Sequence, residues 1–391
     1  MKLSTRLTTL TPDSDGWGVY YRAKAMIAAG TPVIELTIGE HDTPTDPAIL
    51  DALHAAARAG HTGYASVPGT NALRDAIAAR VTERTGVATA RDNILVTAGG
   101  QAALLATHSA VCDPGDTALF IDPFYVTYPG TIRAVGAVPR AIAAMPEDGF
   151  QPRPGPIAAA AAGARSLLIN SPHNPTGVIY SRDTLEGIAA VCRDQDLWLI
   201  SDEVYDTQVW HGDHLSPRAL PGMEDRTLAI GSMSKSHAMT GSRIGWIAGP
   251  EEAIDHLSNL STHTTYGVPG YIQDAALFAL EQGTAFERRI AEPFRRRRDL
   301  ALSIVAKSNR IVPVPSGGAM YLMLDIRRTG QTGEGFANAL LESEHIGVMP
   351  GESFGKCAAG HIRVALTVPD DQLTDALHRL VRFAEGLAHA A

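Results

Sequence analysis

Short runs of consecutive apolar residues punctuate the middle of the chain: Ile94–Leu95–Val96–Thr97, Ala118–Leu119–Phe120–Ile121, Leu167–Leu168–Ile169–Asn170, Leu197–Trp198–Leu199–Ile200, Leu228–Ala229–Ile230 and Ile244–Gly245–Trp246–Ile247–Ala248. Runs this short and this little interrupted predict strands buried on both faces. Alanine-rich stretches with helical spacing, such as Gln101 to Val111 and Thr184 to Cys192, lie between several of them. The alternation predicts an α/β fold with a mostly parallel central sheet flanked by helices. The Pro-, Gly- and Ala-rich segment Pro152 to Gly163 reads as a loop leading into a short helix, because the strand pattern resumes at once. Ahead of the sheet, a helix from Tyr20 to Ala29 and a strand from Val33 to Thr37 form an N-terminal arm over residues 1–45, expected to pack with the smaller domain. Residues 46–285 then make a large domain. A long polar helix from Thr284 to Ala306, and strands near Tyr321 to Leu324 and Ile362 to Leu366, predict a smaller α+β C-terminal domain over 286–391.

Charge changes this picture little. Of 391 residues, 33 are Lys or Arg and 42 Asp or Glu, a net charge of −9 that offers no footprint for nucleic acid or an anionic membrane. The one basic run, Arg295 to Arg298, sits at helical spacing and is expected to be a solvated helix face. Three cysteines, far apart and without CxxC spacing, fit a reducing compartment, the cytoplasm by default, and argue against a zinc site. No signal-peptide pattern opens the chain, and its apolar stretches fall short of the ~20 residues of a spanning helix. Lysine is scarce, with five in the whole sequence. Lys235 follows an apolar strand directly, which makes it conspicuous.

In an open parallel sheet, ligands lie outside the carboxyl ends of the strands. Four such ends carry unusual chemistry. Ala98–Gly99–Gly100–Gln101 opens a helix with bare N–H groups where a phosphate could sit. Ser171–Pro172–His173–Asn174–Pro175–Thr176–Gly177 presents a side-chain amide on a stiffened turn. Ser201–Asp202–Glu203–Val204–Tyr205 puts a carboxylate at a strand mouth with a phenol close by. Ser232–Met233–Ser234–Lys235 is followed eight residues later by Arg243. Two matches are decoys. Ser232 to Lys235 fits SxxK but lacks its KTG and SDN companions, and Gly351–Glu352–Ser353–Phe354–Gly355 fits GxSxG with little chain left for a triad. A triphosphate-binding P-loop and an HExxH zinc motif are both absent from the sequence.

Backbone N–H groups, an arginine and serines for an anion, with a carboxylate, a phenol, an amide and a lysine, suit pyridoxal 5′-phosphate. Asn174–Pro175–Thr176–Gly177, Ser201–Asp202–Glu203–Val204–Tyr205, Ser232–Met233–Ser234–Lys235 and Gly241–Ser242–Arg243–Ile244–Gly245 together resemble the signature blocks of the class I/II, fold type I aminotransferases, which are aspartate aminotransferase-like. The similarity extends to Leu36–Thr37–Ile38–Gly39–Glu40, Tyr64 to Gly69, Val348 to Gly355 and Ile362–Arg363–Val364–Ala365, so it covers nearly the whole chain. The resemblance implies roles residue by residue. Lys235 would carry the cofactor as a Schiff base and move the α-proton, and Asp202 would keep the pyridine nitrogen protonated. Tyr205 and Asn174 would bond the ring 3′-oxygen, and Tyr125 would stack on the ring. Gly99, Gly100, Gln101, Ser232, Arg243 and, from a neighbouring subunit, Tyr64 would hold the phosphate, which implies a homodimer with shared sites. Arg363, with Asn174 and Gly39, would take the substrate α-carboxylate, and Trp17 and Ile38 would face its side chain.

The function these residues imply is transfer of the amino group of an α-amino acid to a 2-oxo acid, 2-oxoglutarate being the expected acceptor, by a ping-pong mechanism. A carbon–sulfur lyase or other β-eliminase on the same scaffold is the alternative, since fold and cofactor do not fix the reaction. A PLP-binding transcriptional sensor is disfavoured, because about 45 residues ahead of the sheet are too few for a DNA-binding domain and linker. The sequence offers no second arginine or lysine for a distal carboxylate, and Trp17 and Ile38 tilt the expectation towards neutral or aromatic donors.

Overall fold

The computed structural model describes residues 1–11 and 16–387. Seven strands form the larger sheet, in the spatial order Ile94–Thr97, Gly245–Ala248, Thr227–Ser232, Trp198–Asp202, Ala164–Asn170, Thr117–Asp122, Val138–Ala143. All are parallel except Gly245–Ala248, which runs antiparallel to both neighbours. The apolar runs are buried on both faces, as their composition demands. Leu167, Ile169 and Leu199 pack with the helices Pro154–Ala161 and Arg182–Asp194 on one side. Leu168, Ile200 and Phe120 pack with Gly100–Val111 and Glu251–Thr262 on the other. Several helices begin with a side-chain cap. Ser181, for example, caps Arg182–Asp194 by accepting the Thr184 N–H at 3.1 Å.

The edge strand Val138–Ala143 escapes the sequence pattern because four of its six residues are exposed, so no apolar run marks it. The predicted short helix after Pro152 is present as Pro154–Ala161.

A second sheet of five strands runs in the order Ile34–Leu36, Ile346–Pro350, His361–Ala365, Tyr321–Asp325, Val312–Pro313. The strand of the N-terminal arm pairs in parallel with Ile346–Pro350, so that Ile34 opposes Ile346 and Leu36 opposes Val348. Leu322, Leu324, Ile362 and Val364 face the helices Gly283–Val305, Gly333–Glu344 and Asp370–Gly386. Met323 and Met349, on the opposite face, join the core that also contains Leu167 and Leu199, so the two sheets share apolar packing.

One expectation is overturned here. The basic run Arg295 to Arg298 is not a solvated face throughout. Arg297 and Arg298 are 4% and 7% exposed. Arg297 forks onto Asp42 at 3.0 and 2.7 Å and also bonds Asp370 at 2.9 Å, while Arg298 bonds the Ser316 carbonyl at 2.8 Å. The helix lays Phe294, Ala301 and Ile304 into the core of the small domain and turns Arg297 towards Asp42 of the arm, so that of the four arginines only Arg295 and Arg296 are exposed.

Candidate active site

The carboxyl ends of the parallel strands open into a cavity of about 340 Å³. Asn170, Asp202 and Ser232 stand at the ends of three of those strands. Lys235 sits just beyond Ser232, in the one-turn helix Met233–Ser236, which Ser232 caps by accepting the Ser234 N–H at 3.1 Å. The long helix Gly100–Val111 points its N-terminus at the same space, contributing Gly100 and Gln101. Arg243 folds over that end. At Gly99, whose φ is +80°, a Cβ would run into the Arg243 guanidinium, so only glycine permits this approach.

The small sheet supplies the opposite wall. Arg363, in the middle of His361–Ala365, is 1% exposed and lies between the rings of Tyr321 and Phe354, 4.3 and 4.4 Å from their centres. It donates to Asn174 Oδ1 at 2.7 Å and to the Thr37 carbonyl. The arm closes the roof: Lys235 Nζ donates to the Gly39 carbonyl, and Thr367 Oγ1 to the Ile38 carbonyl at 2.9 Å.

Of the residues singled out in the sequence, Trp17, Ile38, Gly39, Gly100, Gln101, Tyr125, Asn174, Asp202, Tyr205, Ser232, Lys235, Arg243 and Arg363 line this one cavity. Gly99 lies directly behind Arg243. Tyr64 does not line it. Its ring is 92% exposed in the single chain and touches only Tyr266 among aromatic neighbours, 5.1 Å away.

Three groups escaped the sequence reading. Tyr128 donates to Asp202 Oδ2 at 2.7 Å. Asn170 donates to the Asp202 carbonyl at 2.8 Å and accepts the Asn174 N–H at 2.8 Å, tying two strand ends together. Tyr321 puts its hydroxyl 2.9 Å from that of Tyr205. Tyr128 opens the helix Tyr128–Ala134, just beyond the Asp122–Pro123–Phe124–Tyr125 turn, and no spacing in the sequence links it to Asp202. No signal existed for Tyr321 either, whose hydroxyl is hidden in an otherwise apolar strand.

The decoy serines are accounted for: Ser353 Oγ donates to the Gly16 carbonyl at 2.7 Å, in the turn Gly351–Phe354.

The electrostatics are unusual. Asp202 is 5% exposed and forms no ion pair; burial pushes its carboxyl up to about 6, against the pull of Tyr128 and the Val204 N–H. Burial pushes the Lys235 ammonium down to about 8, with Glu40 pulling the other way and Arg363 and Arg243 adding to the fall. Burial likewise depresses the Arg363 guanidinium. Among the described residues, none of Asp202, Lys235, Arg243 and Arg363 forms a salt bridge. Unpaired charges of both signs around one cavity are costly in water-excluded surroundings unless a guest completes them. Pyridoxal phosphate has the matching parts: a ring N–H for Asp202, a phosphate for Arg243 and the helix end, an aldehyde for Lys235.

Known proteins agree with this geometry. Residues 31–380 match the family model for aminotransferase class I and II. The arginine–pyruvate transaminase of Pseudomonas aeruginosa is 41% identical over 95% of each chain. The aspartate/prephenate aminotransferase of Thermus thermophilus is 34% identical over 97% of this chain and 98% of its own. Among solved structures, the aspartate aminotransferase of Thermus thermophilus with maleate superimposes with a TM-score of 0.91 at 32% identity, covering 98% of this chain and all of that one. That of Thermotoga maritima gives 0.92 at 31% identity. With cavity, charges and relatives in accord, the chain belongs to the class I and II aminotransferases, a family of pyridoxal-phosphate-dependent transferases with the α/β architecture of fold type I.

Proposed function

We propose that the protein transfers the amino group of an α-amino acid to a 2-oxo acid, using one site in alternation for both. The observation that carries this reading is the buried Arg363, without an ion pair, on the wall of a cavity it shares with the buried and equally unpaired Asp202 and with Lys235. Amino donor and 2-oxo acceptor share an α-carboxylate, so a single fixed guanidinium serves each in turn, as a ping-pong scheme requires.

When bound, pyridoxal phosphate supplies the electron sink that stabilises a carbanion at the substrate α-carbon. The remaining work falls to side chains. Lys235 Nζ would attach the cofactor covalently and serve as base and acid for the α-proton; with its ammonium lowered to about 8, part of it is free amine near neutral pH. The Asp202 carboxylate holds the proton of the pyridine nitrogen, oriented by the Tyr128 hydroxyl. The Tyr205 hydroxyl and the Asn174 amide address the ring 3′-oxygen; Asn174 Oδ1 is engaged by Arg363, which leaves its NH₂ to donate. Tyr125 offers a face to the ring. Gly99, Gly100, Gln101, Ser232 and Arg243 serve the phosphate. Arg363, with the Gly39 backbone, fixes the α-carboxylate, and Trp17 and Ile38 flank the substrate side chain.

Tyr64 completes the phosphate site of a second subunit in a homodimer; its exposure in the single chain supports that reading. Residues 46–285 serve as the cofactor-binding domain, with 1–45 and 286–391 forming the closing part. The three cysteines, all free, support a cytoplasmic setting.

Incubation with a panel of amino acids, each with 2-oxoglutarate or pyruvate, tests the reaction. Arginine with pyruvate belongs in that panel, since one relative is named for this pair. New amino acid without ammonia is expected; ammonia and pyruvate released without any 2-oxo acid would establish elimination instead. Borohydride should fix a pyridoxyl group on Lys235 and on no other lysine.

A further inference from the structure

Tyr321 lies on the second residue row from Arg363, at the start of the strand Tyr321–Asp325, and is 3% exposed. Its two ends do different things. The ring covers one face of Arg363, the Phe354 ring covering the other. The hydroxyl reaches the Tyr205 hydroxyl at 2.9 Å and lies so close to Gly39 that a Cβ there would collide with it.

We propose that Tyr321 is a positioning residue linking the substrate half of the site to the cofactor half: its hydroxyl donates to Tyr205, freeing the Tyr205 proton for the cofactor 3′-oxygen, while its ring holds Arg363 flat for the α-carboxylate. This rests on the functional reading above. The argument is one of proton counting. Each phenol has a single O–H to give. Among the described residues Tyr321 Oη has one hydrogen-bond partner, Tyr205 Oη, so donation towards Tyr205 uses the Tyr321 proton and leaves that of Tyr205 for the cavity. Donor chains of this kind polarise one another, so Tyr205 becomes the stronger donor. Burial raises Tyr205 well above the ordinary phenol range, so it stays a protonated donor. The other charged or titratable groups on the cavity wall are Glu40, Tyr125, Tyr128, Asp202, Lys235, Arg243 and Arg363, of which Tyr125 and Arg363 act on Tyr205.

The test uses the holoenzyme and reads the pH midpoint of the bound cofactor's visible absorbance. A donor on the 3′-oxygen favours its anionic form and lowers that midpoint. Tyr321→Phe is therefore expected to raise it by about 0.3–1 unit, the worth of one neutral hydrogen bond. The same substitution in a Tyr205→Phe background should shift nothing further. Tyr321→Phe keeps the ring, so KM for the amino donor should stay near native, whereas Tyr321→Leu should raise it about 2- to 30-fold through the lost cation–π face. An unmoved midpoint in Tyr321→Phe, an equal shift without the Tyr205 hydroxyl, or equal KM values for the Phe and Leu variants would each overturn the proposal. Absence of cofactor absorbance from the native protein would overturn the functional reading and this one with it.

Discussion

Asp202 and Asp206 lie four residues apart, both nearly enclosed, and the protein handles their charges in opposite ways. Asp206 belongs to a closed group. Arg80 bonds it at 2.8 Å and Arg84 lies 3.4 Å away, the same two arginines bond Glu287 at 2.9 and 2.5 Å, and Arg80 also lies over the Trp246 ring. The arginines hold the Asp206 carboxyl well below the usual carboxylate range. Asp202 has a phenol and a backbone N–H but no cation, and its carboxyl rises to about 6. Charges balanced within the chain serve the fold. Charges left open serve a guest, and the fold carries their cost until the guest arrives.

The sharpest way to break this contrast is at Lys235. Lys235→Ala should lower turnover on the order of 10⁴-fold or more, as loss of a covalent catalyst does, with the protein folded by circular dichroism. Arg363→Ala should lower kcat/KM by roughly 30-fold to several thousand-fold, and Arg363→Lys should recover little of it, because an ammonium cannot supply two parallel N–H···O bonds. Equal turnover of an amino acid and its decarboxylated amine by the native protein would contradict that role.

Asp202→Asn separates the two kinds of charge most directly. Activity should fall steeply, while the cofactor-free protein should become more stable at neutral pH by up to about 3 kcal/mol, following a carboxyl raised from 3.8 to about 6. A raised carboxyl opposes folding once ionised. Its penalty is therefore full above about pH 6 and is relieved as pH falls towards 4, so the melting temperatures of native and Asp202→Asn apoprotein should converge over that window.

Arg80→Met gives the opposite sign. It leaves two carboxylates sharing one arginine, a loss of about 3–5 kcal/mol for a broken buried ion pair. Asp206 is depressed, so its contribution is full above about pH 4, the ordinary carboxylate value, and is withdrawn below it. Thermal melts of native and Arg80→Met protein should differ most near neutrality and least in acid. A pH-independent difference would mean that packing, not charge, is what Arg80 provides.

The alternating strands and helices of the larger sheet were legible because burial on both faces leaves uninterrupted apolar runs, and the ends of those runs pointed to Asn174, Asp202 and Lys235 in turn. Val138–Ala143 was not, since an exposed edge leaves no such run. Arg297 illustrates another blind spot. Helical spacing shows which residues share a face, but not that Asp42, 255 positions away, waits beside that face. Distance in sequence also hid the meeting of Tyr205, in the turn after the strand Trp198–Asp202, with Tyr321 of the smaller sheet, 116 positions away. Only the resemblance to a family brought Arg363 into view, because no local pattern marks an arginine in an apolar strand as facing a cavity.

The parallel pairing of Ile34–Leu36 with Ile346–Pro350 has a consequence for biosynthesis. These partners are 312 residues apart, so at about 5–20 residues per second the arm strand leaves the ribosome roughly 15 to 60 s before the strand it must join. Every strand of the larger sheet is complete by Ala248, well before that partner exists. The Gly39 loop, which roofs the site, is therefore synthesised ahead of the larger sheet and set in place only after that sheet is complete.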